Sequence, residues 1–592
     1  MSNDHSHDGG HGHHEPQAFI WKYVFSVDHK VIGIQYLITS FLFLLIGFGM
    51  MMLMRWQLAM PAPGDDFNPE NLGFIRSTLA SVFGESRMPY GYMAPEFYNQ
   101  LGAMHGTIMI FLGVVPLGVA AFGNYVLPLQ IGADDMAFPR LNMASYWTYL
   151  VGGIVMMSSF LAPGGAPQSG WTSYAPLSVT APPGQTYWLV AMIILILSSL
   201  LGAVNFIVTT LNMRAKGMTL GRMPIFCWAQ LVTAVLLLLA FPVLQAGAMF
   251  QLLDRVADTS FYIPKDMFYG GTIFPRAGGG SPLLWQHLFW FLAHPEVYVL
   301  LLPAMGIVAE IVATNTRKPI FGYKELVGSF ILIGALSFVV WAHHMFVSGM
   351  RTSLANLFVT TTMTISVPSV AILTCLLLSL RGGQIRFNTP MLFALAFLPM
   401  FGIGGLTGLP LGFAPTDLYL HDTYYVIGHF HYVVAPGSLI VLIGATYYWF
   451  PKMFGRKMNE TLGKIHFWGT IIPMNFVFFP MLIQGMWGMQ RRLSDPTLQW
   501  HNLPVQGWSW VIGIAAAVMF VMQLPFLFNF FYSIWNGEEA GDNPWQSTTL
   551  EWACPSPPPH GNFESPPEVY RGPYEYSVPG HDSDFWPQDK AA

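Results

Sequence analysis

His429-Phe430-His431 lies inside an apolar segment, residues 424–450, that is long enough to cross a membrane. Two residues that are two positions apart on an α-helix point about 200° apart around its axis. The two imidazoles therefore face opposite sides of one helix. Because a polar group at membrane depth is costly without a partner, each histidine needs one on its own flank. Two hemes, one on each side of the helix, would supply those partners. The plainer alternative is one buried bundle histidine and one that lines a water cavity.

The composition of the chain favours a polytopic membrane protein. Of its 592 residues, 53% are hydrophobic and 10% are charged, which is too apolar for a soluble protein of this size. The net charge of −5 gives no indication of nucleic-acid binding. Cys227, Cys375 and Cys554 are too widely spaced to indicate a disulfide framework or a thiolate cluster.

Twelve apolar stretches predict an all-α fold with twelve transmembrane helices. Basic residues concentrate in the connections on one side, which the positive-inside rule makes cytoplasmic. Because the number of spans is even, both termini are predicted to be cytoplasmic. The stretches are residues 31–54, 101–128, 145–165, 187–212, 225–252, 284–313, 325–347, 355–380, 390–412, 424–450, 466–489 and 508–534.

The two ends of the chain differ from this transmembrane domain, residues 31–534. Residues 1–30 are predicted to be a disordered His-rich tail and the entry into the membrane, with metal handling by the histidines as an alternative. Residues 1–17 are polar, so no cleavable signal peptide is indicated. Residues 535–592 are rich in proline and acidic residues and are predicted to form a cytoplasmic tail.

Histidines at apparent membrane depth indicate a metal site. His343 and His344 are neighbours, so they differ by about 100° on a helix and can both reach one point beside it. His294 is the candidate for a third ligand from a neighbouring segment. Three imidazoles with an open position suit copper or zinc. The six deep histidines are His105, His294, His343, His344, His429 and His431.

Two residues that follow His294 add to this pattern. Tyr298 lies four positions after His294 and therefore on the same helix face. Glu296 points away from both, and a carboxyl group at this depth is suited to relaying protons. The alternative for Glu296 is a hydrogen bond that joins two packed helices.

These residues resemble subunit I of the heme–copper oxidase superfamily, as do Asp28-His29-Lys30 and Thr549-Leu550-Glu551-Trp552 near the two ends. The resemblance implies the catalytic subunit of a terminal oxidase, which reduces dioxygen to water with electrons from cytochrome c and pumps protons. It implies a location in the bacterial inner membrane. It also implies several partners, namely a subunit II with a dinuclear copper centre, a subunit III, small subunits and a respiratory supercomplex.

The resemblance also implies the cofactors and their ligands. Two hemes, of type A, and one copper ion, called CuB, are expected. His105 and His431 match the axial ligands of the low-spin heme, and His429 matches the ligand of the high-spin heme. The copper ligands are His294, His343 and His344, with Tyr298 joined covalently to His294. Residues expected around these cofactors are His421 and Asp422 as ligands of magnesium or manganese, Arg491 and Arg492 at the heme propionates, Arg55 at the low-spin heme, and Trp285 near the copper.

The same resemblance implies a proton route, and the chain departs from the family in a second one. Asp135 and Glu296 match the mouth and the inner end of the D pathway, with Asn124 and Asn142 near the mouth. Ile372 stands where the family has the lysine of the K pathway. We expect hydroxyl groups and ordered water to replace it, or else the D pathway to carry all protons. The hydroxyl groups belong to Ser369, Thr362 and Tyr298.

Residues tied to quinol binding in part of the family allow a prediction of the electron donor. Ile46, Met50 and Phe97 stand where ubiquinol oxidases have polar residues tied to quinol binding, and only Gln100 matches. This favours cytochrome c over a quinol oxidase of the same fold. A nitric oxide reductase relative is disfavoured because Tyr298 and Glu296 suit oxygen reduction and proton delivery. A transporter or a non-catalytic membrane scaffold would leave the deep histidines unexplained.

Overall fold

The computed structural model describes residues 18–61, 73–274, 278–495, 505–580 and 582–591. The predicted His-rich tail, residues 1–17, lies outside these ranges. Within them, twelve long helices follow one another. They are α1 His29–Ala59, α2 Pro95–Ile131, α3 Pro139–Ser158, α4 Gly184–Asn212, α5 Ile225–Val256, α6 Pro282–Thr316, α7 Tyr323–Ser337, α8 Thr352–Leu380, α9 Thr389–Gly412, α10 Tyr424–Phe454, α11 Glu460–Met486 and α12 Gly507–Asn536.

Short elements connect the long helices. The helical ones include Ile20–Val24, Gly73–Phe83, Pro89–Gly91, Ser159–Leu161, Leu177–Thr180, Leu220–Arg222, Trp341–Met345, Ala414–Leu420 and Leu550–Trp552. Strand β1 (Phe268–Tyr269) pairs antiparallel with β2 (Thr272–Ile273), and β3 (Arg456–Lys457) pairs antiparallel with β4 (Glu538–Glu539).

Ten of these helices are long and apolar enough to cross a membrane, counted over the described residues. The predicted helical membrane fold is therefore confirmed. The predicted spans 145–165 and 325–347 correspond to α3 and α7, which are not among the ten. Helix α3 has serine, threonine and tyrosine along its 20 residues, and α7 has only 15 residues.

Capping residues mark the beginning of α1 and the end of α2. Asp28 accepts a hydrogen bond from Lys30 N, 2.8 Å away, and so begins α1. Gly132 ends α2 with a φ of 75°, a conformation that glycine adopts without strain. Local sequence thus determines where these helices begin and end.

Helix α6 is the most enclosed of the ten spans. In an apolar stretch of 18 residues within α6, 89% of the residues are buried, whereas the corresponding share in α1 is 28%. It packs against α5, α7, α8, α9 and α10. Residues that face outward from α6 therefore meet other helices instead of lipid, which places His294, Glu296 and Tyr298 inside the bundle.

The segment after α7 differs from the prediction. The span 325–347 was expected to be one helix that carries His343 and His344, but α7 ends at Ser337. The two histidines lie on a separate 3₁₀ turn, Trp341–Met345. Tighter turns of this kind, with about three residues per turn, present neighbouring side chains differently from an α-helix, and they often serve as connectors.

The C-terminal tail packs across one end of the bundle. Asp584 lies 2.8 Å from the Arg317 guanidinium, and this contact lowers the pKa of the Asp584 carboxyl group. Lys452 Nζ donates to Cys554 O at 2.6 Å, and Lys216 pairs with Glu568 at 3.0 Å. The tail therefore lies at the end of the bundle that carries the basic loops.

Candidate active site

Three histidines from α6 and the turn after α7 meet at one point. The ligand nitrogens of His294, His343 and His344 all lie within 4.8 Å of one another, and no other group of this kind occurs in the described ranges. His294 Nε2 is buried and has no hydrogen-bond partner among the described residues. A buried polar atom without a partner is costly, and a metal ion would satisfy it. The donor set therefore fits copper.

Residues around this cluster hold the imidazoles in place. His343 Nδ1 and Thr362 Oγ1 are 2.9 Å apart, so the hydroxyl of α8 orients the ring. The Tyr298 ring lies 5.1 Å from the His294 ring, as expected for residues on one helix face. His344 stacks on Trp290 with 3.9 Å between centroids.

Trp290, which was not predicted from the sequence, is the tryptophan that contacts a copper-site histidine, and the place of Trp285 near the copper stays a prediction. Trp285 donates to Thr172 O at 2.9 Å and packs against Phe289 and other aromatic rings. Trp290 lies four residues before His294 and so on the same helix face, which is the signal that could have identified it. Trp285 is nine residues away from His294 and lacks that relation.

His429 and His431 project from α10 toward different neighbours. His429 Nδ1 donates to Gly404 O of α9 at 3.0 Å, whereas His431 Nδ1 donates to Ile427 O of its own helix at 2.9 Å. His105 Nδ1 donates to Gly47 O of α1 at 2.8 Å. In each case a carbonyl orients the ring and leaves Nε2 for a metal.

The partners of these rings form two groups. His431 lies close enough to His105 for charges on the two rings to interact. The same holds for His429 and His343. This arrangement fits one heme between His105 and His431 and a second heme between His429 and the copper histidines. His466 differs from these histidines, because both of its ring nitrogens form hydrogen bonds with side chains, those of Tyr447 and Gln523.

Buried arginines near α10 match the acidic and polar edges of a heme. Arg55 donates to Tyr424 Oη at 3.0 Å. Arg55 Nε and Arg491 Nε are buried without a partner in the described part of the chain. Arg492 reaches Thr172 Oγ1 at 3.4 Å. Because an unsatisfied guanidinium N–H is costly when buried, these groups fit oxygen acceptors such as propionates.

His421 and Asp422 do not belong to a group of three potential metal ligands among the described residues. His421 Nδ1 lies 3.5 Å from Asp417 Oδ2. Asp422 lies 3.7 Å from Arg491 Nη1, and its side chain is 59% exposed. The magnesium or manganese site stays a prediction.

The carboxyl groups predicted for proton transfer lie in different environments. Glu296 is 2% exposed, and neither of its carboxyl oxygens has a partner among the residues that the structure describes. Asp135 lies in the loop between α2 and α3 and accepts from Met136 N at 2.6 Å. Burial raises the pKa of Asp135, and the charge of nearby His29 opposes this effect.

Polar groups between α1, α2, α3 and α4 line a cavity of about 40 Å³, enough for water. Asn124 lines this cavity, and its Oδ1 has no partner in the described ranges. Asn142 Nδ2 is likewise buried without a partner there. The hydroxyl groups that line the cavity belong to Tyr36, Ser145, Tyr149, Ser198 and Ser199.

On α8, Ile372 is fully buried and presents no polar group. The Ser369 hydroxyl donates back to Ile365 O of the same helix at 3.1 Å. Of the hydroxyl groups expected to replace the lysine, Thr362 contacts a copper-site histidine and Ser369 bonds its own helix.

Comparisons with known proteins agree with this geometry. A family model described as cytochrome c and quinol oxidase polypeptide I matches residues 31–519. A Synechocystis protein named cytochrome c oxidase subunit 1 is 44% identical over 557 residues, 94% of this chain and 93% of that protein. A Bacillus subtilis protein named quinol oxidase subunit 1 is 40% identical over 563 residues, 93% of this chain and 80% of that protein.

A solved structure of a heme-copper terminal oxidase dimer has the same fold. Its TM-score is 0.67 at 17% identity, over 86% of this chain and 84% of that chain. The family match covers most of the chain and includes all six deep histidines. The chain therefore belongs to the cytochrome c and quinol oxidase polypeptide I family.

Proposed function

We propose that this chain is the catalytic subunit of a respiratory terminal oxidase. It would reduce dioxygen to water with electrons from cytochrome c and couple this reaction to proton pumping. The observation that carries the proposal is the cluster of His294, His343 and His344, because Thr362, which contacts His343, and His429 both pack against α9. Family membership and the relative named cytochrome c oxidase subunit 1 support it.

The histidines would hold the cofactors, which supply the electron transfer and oxygen chemistry when bound. His105 and His431 would hold the low-spin heme, and His429 would hold the high-spin heme. His294, His343 and His344 would hold copper. We assign heme A to both heme sites, and magnesium or manganese to His421 and Asp422. Arg55, Arg491 and Arg492 would orient the hemes by donating to their oxygen atoms.

Side chains of the chain would also move protons to the reaction. Asp135 would take up protons at the loop before α3, and Asn124 and Asn142 would order water beyond it. Glu296 would receive these protons, because a carboxyl group without a fixed partner can both accept and release one. Tyr298, beside His294, would supply one proton and one electron to dioxygen and would itself be left as a neutral radical.

The remaining proposals concern the assembly and its place in the cell. The twelve long helices would all cross a bacterial inner membrane, with both termini cytoplasmic. The contacts of the tail with the basic loops support this orientation. A subunit II with a dinuclear copper centre would deliver the electrons. Subunit III, small subunits and a respiratory supercomplex would complete the assembly.

The identity of the electron donor can be tested by measuring oxygen uptake of the purified complex with reduced cytochrome c or with quinol. Ile46 and Met50 have no group that hydrogen-bonds a quinone, so we expect uptake with cytochrome c and little with quinol. Rapid quinol oxidation without cytochrome c would instead establish the quinol branch of the family. A complex without heme absorption would rule out both oxidases.

The hydroxyl route past Ile372 gives a second test. In the double variant Thr362→Val with Ser369→Ala, reduction of the high-spin heme should slow about tenfold, while later oxidation steps are spared. The reason is that a buried metal site needs a proton to balance each added electron. Time-resolved heme absorption measures both phases.

Thr364→Val is the matched control for this test, because the Thr364 hydroxyl donates to Thr360 O of its own helix at 2.8 Å. It should leave both phases unchanged. Unaltered reduction in the double variant would mean that the route through Asp135 and Glu296 carries all protons.

A further inference from the structure

Asn562 of the C-terminal tail is buried at the end of the bundle where α1 begins. It is 0% exposed and has a φ of 65°, a left-handed conformation that asparagine tolerates better than most residues. The tail follows the last helix by more than twenty residues, yet this side chain is inserted beside the first helix. Its contacts therefore tie the two ends of the chain together.

The Asn562 amide bonds two different segments at once. Nδ2 donates to Ala133 O at 2.7 Å and to Asp134 O at 3.1 Å. Oδ1 accepts from Lys30 Nζ at 2.8 Å. The two carbonyl groups belong to the residues directly before Asp135. The tail therefore holds the backbone that presents the proposed proton acceptor.

His29 completes this arrangement. Its Nδ1 lies 2.6 Å from Asn124 O, so Nδ1 is the protonated nitrogen. Its Nε2 lies 2.9 Å from Asn562 Nδ2 and 3.0 Å from Asn562 Oδ1. Because Nδ2 carries two hydrogens, a neutral His29 competes with Asp134 O for one of them, whereas a charged His29 can donate to Oδ1. The amide can therefore bond His29 in either state, with one hydrogen bond exchanged.

Charged groups lie near Asn562 on three segments, namely the beginning of α1, the loop between α2 and α3, and the C-terminal tail. Burial raises the pKa of the Asp28 carboxyl group, but His29 and Lys30 outweigh this and hold it at about 2. Asp28 therefore stays ionised beside Lys30, 3.1 Å away. The titratable groups of the three segments are Asp28, His29 and Lys30 at α1, Asp134 and Asp135 in the loop, and His560 in the tail.

We infer that Asn562 is a positioning residue for proton entry, which holds Asp135 at the mouth through the Ala133–Asp134 backbone and His29. This inference rests on the proposed function, because it assumes that Asp135 takes up protons. Asn562 itself would not carry protons. It would keep the loop that carries Asp135 and the imidazole of His29 in one arrangement while protons enter at Asp135.

The experiment combines Asn562→Ala and Asp135→Asn in the full complex, singly and together. Asp135→Asn should slow turnover, because an amide cannot release a proton. Asn562→Ala should lower turnover and pumped protons per electron about threefold to tenfold, as expected for loss of positioning hydrogen bonds. In the Asp135→Asn background, Asn562→Ala should cause no further loss. A merely structural role would lower turnover equally in both backgrounds.

Asn543→Ala is the matched control, because that tail side chain bonds only the backbone of Ser547 in the contacts found for it. It should leave turnover unchanged. If Asn562→Ala does not assemble, Asn562→Asp keeps the size and the acceptor for Lys30 but cannot donate to the two carbonyl groups. The same pattern is expected for it.

The outcomes separate the inference from the proposed function. Normal turnover and pumping in Asp135→Asn would overturn the proton route itself. Slow turnover in Asp135→Asn with normal turnover in Asn562→Ala would overturn only the role of Asn562. Equal losses in both backgrounds would also overturn it, since the tail would then act on the fold as a whole.

Discussion

Oxygen reduction is expected to disappear in His429→Ala, while the absorption of a low-spin heme remains. His429 and His431 share one helix, but their rings are anchored by carbonyl groups of different helices. Loss of His429 removes the ligand next to the copper histidines. His431 and His105 keep their own carbonyl partners, Ile427 O and Gly47 O. Optical spectra and oxygen uptake of the same preparation measure both effects.

The matched control for this variant is His466→Asn. His466 is another buried membrane histidine, but protein side chains engage both of its ring nitrogens. Its replacement should leave both heme signals in place and should only lower thermal stability. Simultaneous loss of both heme signals in a stably assembled His429→Ala complex would contradict the assignment of separate hemes to His429 and His431.

Turnover is expected to fall roughly 100-fold or more in Glu296→Gln, with hemes and copper retained. Glutamine has the size of glutamate but cannot release a proton at neutral pH. Glu296 has two buried carboxyl oxygens without a partner in the described part of the chain, so its proton is not committed to a structural hydrogen bond. Proton uptake and turnover, measured together in vesicles, should fall in parallel.

Glu310→Gln is the control on the same helix. Glu310 is equally buried, but it accepts from Phe226 N at 3.1 Å and from Tyr574 Oη at 2.5 Å. A glutamine oxygen can accept both bonds, so turnover should persist. Normal turnover in Glu296→Gln would show that protons reach the active site by another route.

Local sequence was sufficient to predict the helical membrane fold and to identify the histidines at membrane depth. A run of apolar residues forms a helix in a membrane because its backbone has no other partner there. The spacing of His429 and His431, and of His294 and Tyr298, follows from helix geometry alone. The histidines were the informative residues because a buried imidazole needs a partner that the chain had to supply or bind.

Longer-range features were predicted less well. The span that contains His343 and His344 was expected to be helical to residue 347, but α7 ends at Ser337. Hydropathy records how apolar a segment is and not where its helix ends. The contact of Trp290 with His344 was not predicted, although the four-residue spacing from His294 places Trp290 on the same helix face.

The sequence by itself thus determined the membrane fold, the deep histidines and the carboxyl group of Glu296 within an apolar span, because each depends on residue type and on the length of apolar runs. Only the tertiary structure decided which segments meet. The contact of Thr362 with His343 joins two elements, and the insertion of Asn562 beside His29 joins residues 533 positions apart. Such contacts depend on how the helices and the tail pack, which no local pattern encodes.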